Sequence, residues 1–155
     1  MIEVLNSGSS ASPITLTTGG TLYWVARIDG VSGKVHKLKY IDAWIDNAAN
    51  TDGTWELVIA RCATANVDTE WAAITSQKWN SASVAAVSAA VYIPSGGTPS
   101  PTSVTRLANY GGISYASKFK QLFNLEINAS ETFLIGIQHP VNSRSARWTI
   151  EIETP

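Results

Sequence analysis

Residues 118–153, KFKQLFNLEINASETFLIGIQHPVNSRSARWTIEIE, constrain the fold more than any other stretch of the chain. Phe119, Gln121, Phe123, Leu125 and Ile127 fall at every second position, so one face is apolar apart from one amide, while Lys118, Lys120, Asn124 and Glu126 lie on the other. That is the period of a half-buried strand, since successive side chains leave a strand on opposite faces. Asn128-Ala129-Ser130 supplies turn chemistry. Phe133, Ile135 and Ile137 then repeat the alternation, and Ala146, Trp148, Ile150 and Ile152 do so once more against Arg147, Thr149, Glu151 and Glu153. Three such strands in succession predict an antiparallel meander whose apolar face needs a cover.

The rest of the chain supplies that cover. Residues 1–20 read as an N-terminal arm: Ile2, Val4 and Leu5 suit one short strand, Ile14 and Leu16 a second, and the Ser/Gly run between them holds nothing that would form a core. Such an arm either frays or orders on a neighbour. Residues 21–28, TLYWVARI, are apolar on both faces, with Leu22, Trp24, Ala26 and Ile28 on one and Tyr23 and Val25 on the other. A strand with two oily faces is covered on both. One cover is an opposing sheet; the other is a loop, the arm or another subunit. Strands over 35–46 and 55–62, joined through an Asp-Gly turn, read as a long hairpin. Asp68 or Thr69 can cap, and Trp71 and Ile74 share a face, predicting one short helix over 69–77. The Ala/Ser/Val run 81–93 suits a strand, residues 94–101 a projecting Pro/Gly loop, residues 102–107 another strand, and Asn109-Tyr110-Gly111-Gly112 a turn.

About eight strands at this spacing predict an all-β, single-domain antiparallel sandwich over residues 21–155. The expected type is a jelly roll, its last strands paired with strands of the first half; an immunoglobulin-like sandwich is the alternative. Only 15% of the residues are charged, against roughly 25% in an average soluble domain. The scattered lysines and arginines argue against nucleic acid as a partner. The start of the chain carries neither the basic leader nor the apolar run of a signal peptide, and no window has the length of a membrane span. Synthesis in a cytoplasm is therefore expected. Cys62 stands alone in the sequence and reads as a small buried thiol.

Catalysis needs converging titratable groups, and few suggest themselves. Gly112-Ile113-Ser114-Tyr115-Ala116 has only part of a nucleophile elbow and would need His139 as its base. His36, His139 and Cys62 lack the spacing of a zinc site. Asp46, Asn47, Asn50 and Asp52 could offer oxygens to calcium, but no bidentate glutamate follows at the required distance, and a polar turn is the preferred reading. Glu151 and Glu153 share the solvent side of what reads as an edge strand, where like charge discourages aggregation. No catalytic residue, cofactor or metal is expected. Trp71, Trp79, Tyr110 and Tyr115, in or near connections, are candidate contact aromatics, since their faces pack well on sugar rings.

Taken whole, the chain resembles the jelly-roll decoration, or auxiliary, proteins of tailed bacteriophage capsids. The resemblance is carried by the arm MIEVLNSGSSASPITL, the two-faced strand TLYWVARI and the run NLEINASETFLIGIQ. It implies a non-enzymatic virion protein on the outer capsid surface, a homotrimer that binds the major capsid protein and stabilises the shell by bridging its subunits. Ile2, Val4, Leu5, Ile14, Leu16, Tyr23 and Val25 are then the candidate subunit or capsid interface. A carbohydrate-binding or receptor-binding module of a phage fibre is the alternative, with the connection aromatics on a sugar.

Overall fold

Alternating apolar residues build strands throughout, yet among the described residues no strand bonds to its neighbour in sequence. The computed structural model describes residues 2–6, 14–74, 77–78 and 90–154. Its strands are β1 (Ile2–Asn6), β2 (Ile14–Leu16), β3 (Leu22–Asp29), β4 (His36–Ile45), β5 (Thr54–Ala63), β6 (Trp71–Ala73), β7 (Gln77–Lys78), β8 (Ala90–Pro94), β9 (Thr105–Ser114), β10 (Phe119–Ile127), β11 (Glu131–Gln138) and β12 (Arg144–Glu153). They form two antiparallel sheets. Sheet A runs β10-β4-β12-β1-β7, with β2 also bonded to β12; sheet B runs β6-β8-β3-β11-β5-β9. From β2 to β5 and again from β9 to β12 the chain changes sheet at each connection, and the late strands insert between early ones: β12 between β2 and β4, β11 between β3 and β5. This is the jelly-roll connectivity, two interlocked Greek keys packed face to face.

The expected meander is therefore corrected. Its three strands exist, but β10 and β12 lie in sheet A and β11 in sheet B. Likewise β4 and β5 lie in opposite sheets, so they make no hairpin. The physical reason is that Asn, Ser and Gly turn the chain equally well between two strands of one sheet and across the roughly 10 Å between two sheets. The inward faces survive the correction. Leu38, Ile41, Ala43, Ile45, Phe119, Ile127, Ala146, Trp148, Ile150 and Ile152 from sheet A meet Val25, Ile28, Leu57, Ile59, Phe133, Ile135 and Ile137 from sheet B in one core.

The two-faced strand owes half of its pattern to a bulge. Ile135 pairs with Ala26 and Gly136 with Trp24, which leaves Val25 without an opposite residue. One extra residue reverses the alternation. Tyr23 and Val25 point inward before the bulge, Ala26 and Ile28 after it, and all four are buried. Trp148 Nε1 reaches from β12 across the core to donate to the Val25 carbonyl at 2.8 Å.

The outer side of sheet B has a roof made by the chain itself. Ala60, Cys62 and Leu134 are buried there under Trp24, Val67, Trp71 and Val104. Gly136 lets Trp24 and Leu22 settle on the sheet: a methyl at that position would lie 2.8 Å from Leu22 Cδ1 and 3.0 Å from the Trp24 ring. Asp68 pins the roof, accepting from Trp71 Nε1 at 2.8 Å and from the Ser100 amide at 2.7 Å, while the Thr102 amide donates to the Asn66 carbonyl at 3.0 Å.

That use of Asp68 explains why the helix predicted over 69–77 is absent from its described residues. The expected cap is occupied by an indole and a distant amide, and β6 pairs Trp71, Ala72 and Ala73 with Pro94, Ile93 and Tyr92. The helical geometry among the described residues is a 3-10 turn at Thr64–Asn66. The turn predicted at Asn109-Tyr110-Gly111-Gly112 is also corrected: it lies inside β9 as a bulge, with Gly112 at φ 69° between the pairs Leu57–Tyr110 and Trp55–Ile113. The strand over 81–93 is described from Ala90 onward, and its earlier residues lie outside the described ones.

Candidate functional surface

The residues with chemical potential are engaged in structure. His139 is buried, its Nδ1 accepts from the Val141 amide at 3.1 Å, and its Nε2 lies 3.7 Å from Asp52 Oδ2. No hydrogen bond among the described residues joins it to Ser114, whose carbonyl accepts from Trp55 Nε1 at 3.2 Å. His36 is buried on the inward side of β4, opposite Ile127. Burial raises the pKa of the Cys62 thiol, the more so beside the Asp29 carboxylate, which keeps it protonated and unreactive.

The polar loop 46–53 ties strand ends together. Arg144 binds Asp52 through two hydrogen bonds, Nε to Oδ2 at 2.6 Å and Nη2 to Oδ1 at 2.7 Å. Asp52 also accepts from the Ala49 amide at 2.9 Å. These donors hold its carboxyl at about 2, well below the usual range, with Arg144 the largest cause. Asp46 binds Arg147 and accepts from Trp44 Nε1 at 2.7 Å, and Asn47 bridges to the Ser143 carbonyl and the Ser145 amide. The side-chain oxygens of Asp46, Asn47 and Asp52 are thus committed to protein donors. Among the described residues no group of three His, Cys, Asp or Glu side chains could hold a metal ion. Nor is any helix of the described residues long and apolar enough to cross a membrane.

The structure divides the residues singled out in the sequence. Tyr23, Val25 and Leu16 belong to the core of the monomer, so a neighbour is not what covers them. Ile14 packs partly against the same core. The arm's two strands join sheet A: β1 runs beside β12 from Ile2 opposite Glu153 to Asn6 opposite Thr149, with Leu5 paired to Ile150, and β2 continues along the same strand from Ala146 to Arg144. Ile2 is exposed and Val4 half-buried. Trp71 is half-buried in the sheet B roof. Tyr110 packs on Phe119 and Phe123, with ring centroids 4.9 and 6.3 Å away, and closes the flank between the sheets. Tyr115 is half-buried in the turn after β9. These aromatics do not gather into one platform, and Trp79 lies outside the described residues.

Sequence reasoning did not single out the surface that remains, the outer face of sheet A. Its rows follow from the register. Leu122, Tyr40, Glu151 and Val4 lie side by side across four strands, next to Lys120, Asp42 and Thr149, and then Trp44 and Arg147. Lys118 sits over the Trp44 ring at 4.3 Å, and Lys39 lies between Asn124 Oδ1 at 2.8 Å and Glu153 at 3.6 Å. β12 is central in this sheet and not at its edge, so Glu151 and Glu153 belong to the middle of the face. Leu122, at 78% exposure, is the most exposed of the large apolar side chains described. Inward alternation predicts each of these residues to lie on the outer side; only the tertiary arrangement tells that no loop among the described residues roofs them.

No protein-family model, curated protein or solved structure matches the chain.

Proposed function

We propose that the protein is a non-enzymatic virion component, a capsid decoration protein that binds the assembled shell and bridges neighbouring capsid subunits. One observation supports this reading above the others. The two outer faces of the sandwich are unequal: that of sheet B is roofed by the chain's own loops, whereas that of sheet A offers Tyr40, Trp44 and Leu122 among charges of both signs. Aromatic rings amid charges that can be matched one by one suit recognition of another protein surface. The arm strand lies along the same sheet and adds Ile2 and Val4 to that face. A surface that forms only on the assembled shell is stabilised by whatever binds it, and several copies bound together multiply a weak contact.

The test is co-sedimentation with shells assembled from the major capsid protein of the same genome. The protein is expected to pellet with assembled shells and to stay in solution with unassembled subunits. Trp44→Ala and Tyr40→Ala are expected to weaken binding at least tenfold while leaving the fold intact. Absence of binding to the shells, or binding unchanged by both substitutions, would refute the reading.

A further inference from the structure

We propose that two copies of this chain pair antiparallel along the free edge of β10, with Leu122 of each copy at the two-fold centre. β10 ends sheet A and bonds only to β4 among the described residues, so its other edge presents unpaired backbone donors and acceptors. Such an edge is a template for another strand. The side chains say which strand fits.

Outward point, in order, Lys118 just before β10 and then Lys120, Leu122, Asn124 and Glu126 within it, the ladder to β4 shifting register between Leu122 and Leu125. Folded back on a second copy about Leu122, this series is self-complementary. Lys118 of one copy faces Glu126 of the other, Lys120 faces Asn124, and the two leucines meet. By symmetry each polar pair occurs twice. Cross-strand partners of opposite charge stabilise a ladder and like charges directly opposite destabilise it. A parallel alignment in register would set lysine on lysine and glutamate on glutamate, so the charges select the antiparallel one.

The groups needed are accessible. Lys120, Gln121 and Leu122 are exposed in succession, and the Glu126 side chain is 59% exposed, 4.0 Å from Lys37. The centre is apolar where a lone monomer would leave a leucine in water. Lysines on an edge strand ordinarily deter pairing; here the basic half is followed by a half able to accept it, which admits a single partner and register. A two-fold contact gives a pair, in place of the ring of three that the resemblance implies. It does not rest on shell binding: a pair without affinity for a shell would uphold it and refute the function proposed above.

The experiment is sedimentation-velocity mass over a micromolar concentration series, with circular dichroism to verify the fold. The wild-type chain is expected to form a dimer. Leu122→Lys, Lys118→Glu and Glu126→Lys should each raise the dimer dissociation constant roughly tenfold or more, because each places like charges opposite one another at the centre or at two symmetric sites. The double variant K118E/E126K should restore pairing, since it exchanges the two signs. Oxidation of Leu122→Cys should cross-link the dimer through position 122. A wild-type monomer throughout the series, a trimer, or a dimer indifferent to the single reversals would overturn the proposal, as would failure of the double variant to recover.

Discussion

Replacing Trp148 by phenylalanine tests the bulge that makes β3 self-sufficient. The indole is fully buried, and its Nε1 donates to the Val25 carbonyl at 2.8 Å, at the residue the sheet B ladder leaves without an opposite. Phenylalanine keeps an aromatic ring there but removes the donor. A buried carbonyl without a partner costs about 1–3 kcal/mol. The smaller ring leaves a void of a few tens of Å³, which at ~24 cal/mol per Å³ adds about 1 kcal/mol. Trp148→Phe should therefore lose about 2–4 kcal/mol. Trp55→Phe is the matched control, being as deeply buried, with its Nε1 on the Ser114 carbonyl at 3.2 Å. Ser114 is exposed at a strand end, so water can take over that bond and chiefly the void should register, at about 1 kcal/mol. Urea unfolding followed by circular dichroism, with equal slopes in all three proteins, gives the comparison. A loss for Trp148→Phe no larger than for Trp55→Phe would refute the role assigned to the bulge.

Val25→Ala should cost about 2 kcal/mol in the same unfolding assay and leave the sedimentation mass unchanged, because Val25 lies in the monomer core and not at a contact between copies. An unaltered stability with an altered mass would reverse that assignment. The Asp52 carboxyl is lowered from its ordinary 3.8 to about 2 in the folded chain, so its stabilising contribution is complete above about pH 4 and is lost as the pH falls toward 2. Thermal melts should show a constant gap between wild type and Asp52→Asn from about pH 5 upward, closing between pH 4 and pH 2. A gap independent of pH would show that Arg144 does not hold the carboxylate.

Alternation made the long strands legible. Phe119 to Ile127, Phe133 to Ile137 and Ala146 to Ile152 each show their inward face in the residue order, and the structure keeps all three. Pairing was not legible, because Asn128-Ala129-Ser130 carries the same turn chemistry whether the next strand lies alongside or in the opposite sheet. The expectation that late strands join early ones did identify the jelly roll. In TLYWVARI the signal was present but open to two readings: apolar residues at both parities mean a second cover or a bulge, and here they mean both. Tyr23 and Val25 belong to the bulge, whereas Trp24 packs into the roof with Val67, Trp71 and Val104. Phe133-Leu134-Ile135, also apolar at consecutive positions, is the same roofed sheet seen from its central strand. The open face was the hardest to see. Tyr40, Trp44 and Leu122 are far apart in sequence, and nothing local distinguishes a strand side that is roofed from one that no described loop covers.

The most direct measurement of the central claim, that the outer face of sheet A is the contact surface, is hydroxyl-radical footprinting of the protein free and bound to assembled shells. Tyr40 and Trp44 should lose reactivity on binding, while Trp71 and Tyr92 on the other side of the sandwich should keep theirs. Protection of Trp71 and Tyr92 with Tyr40 and Trp44 unchanged would contradict the account.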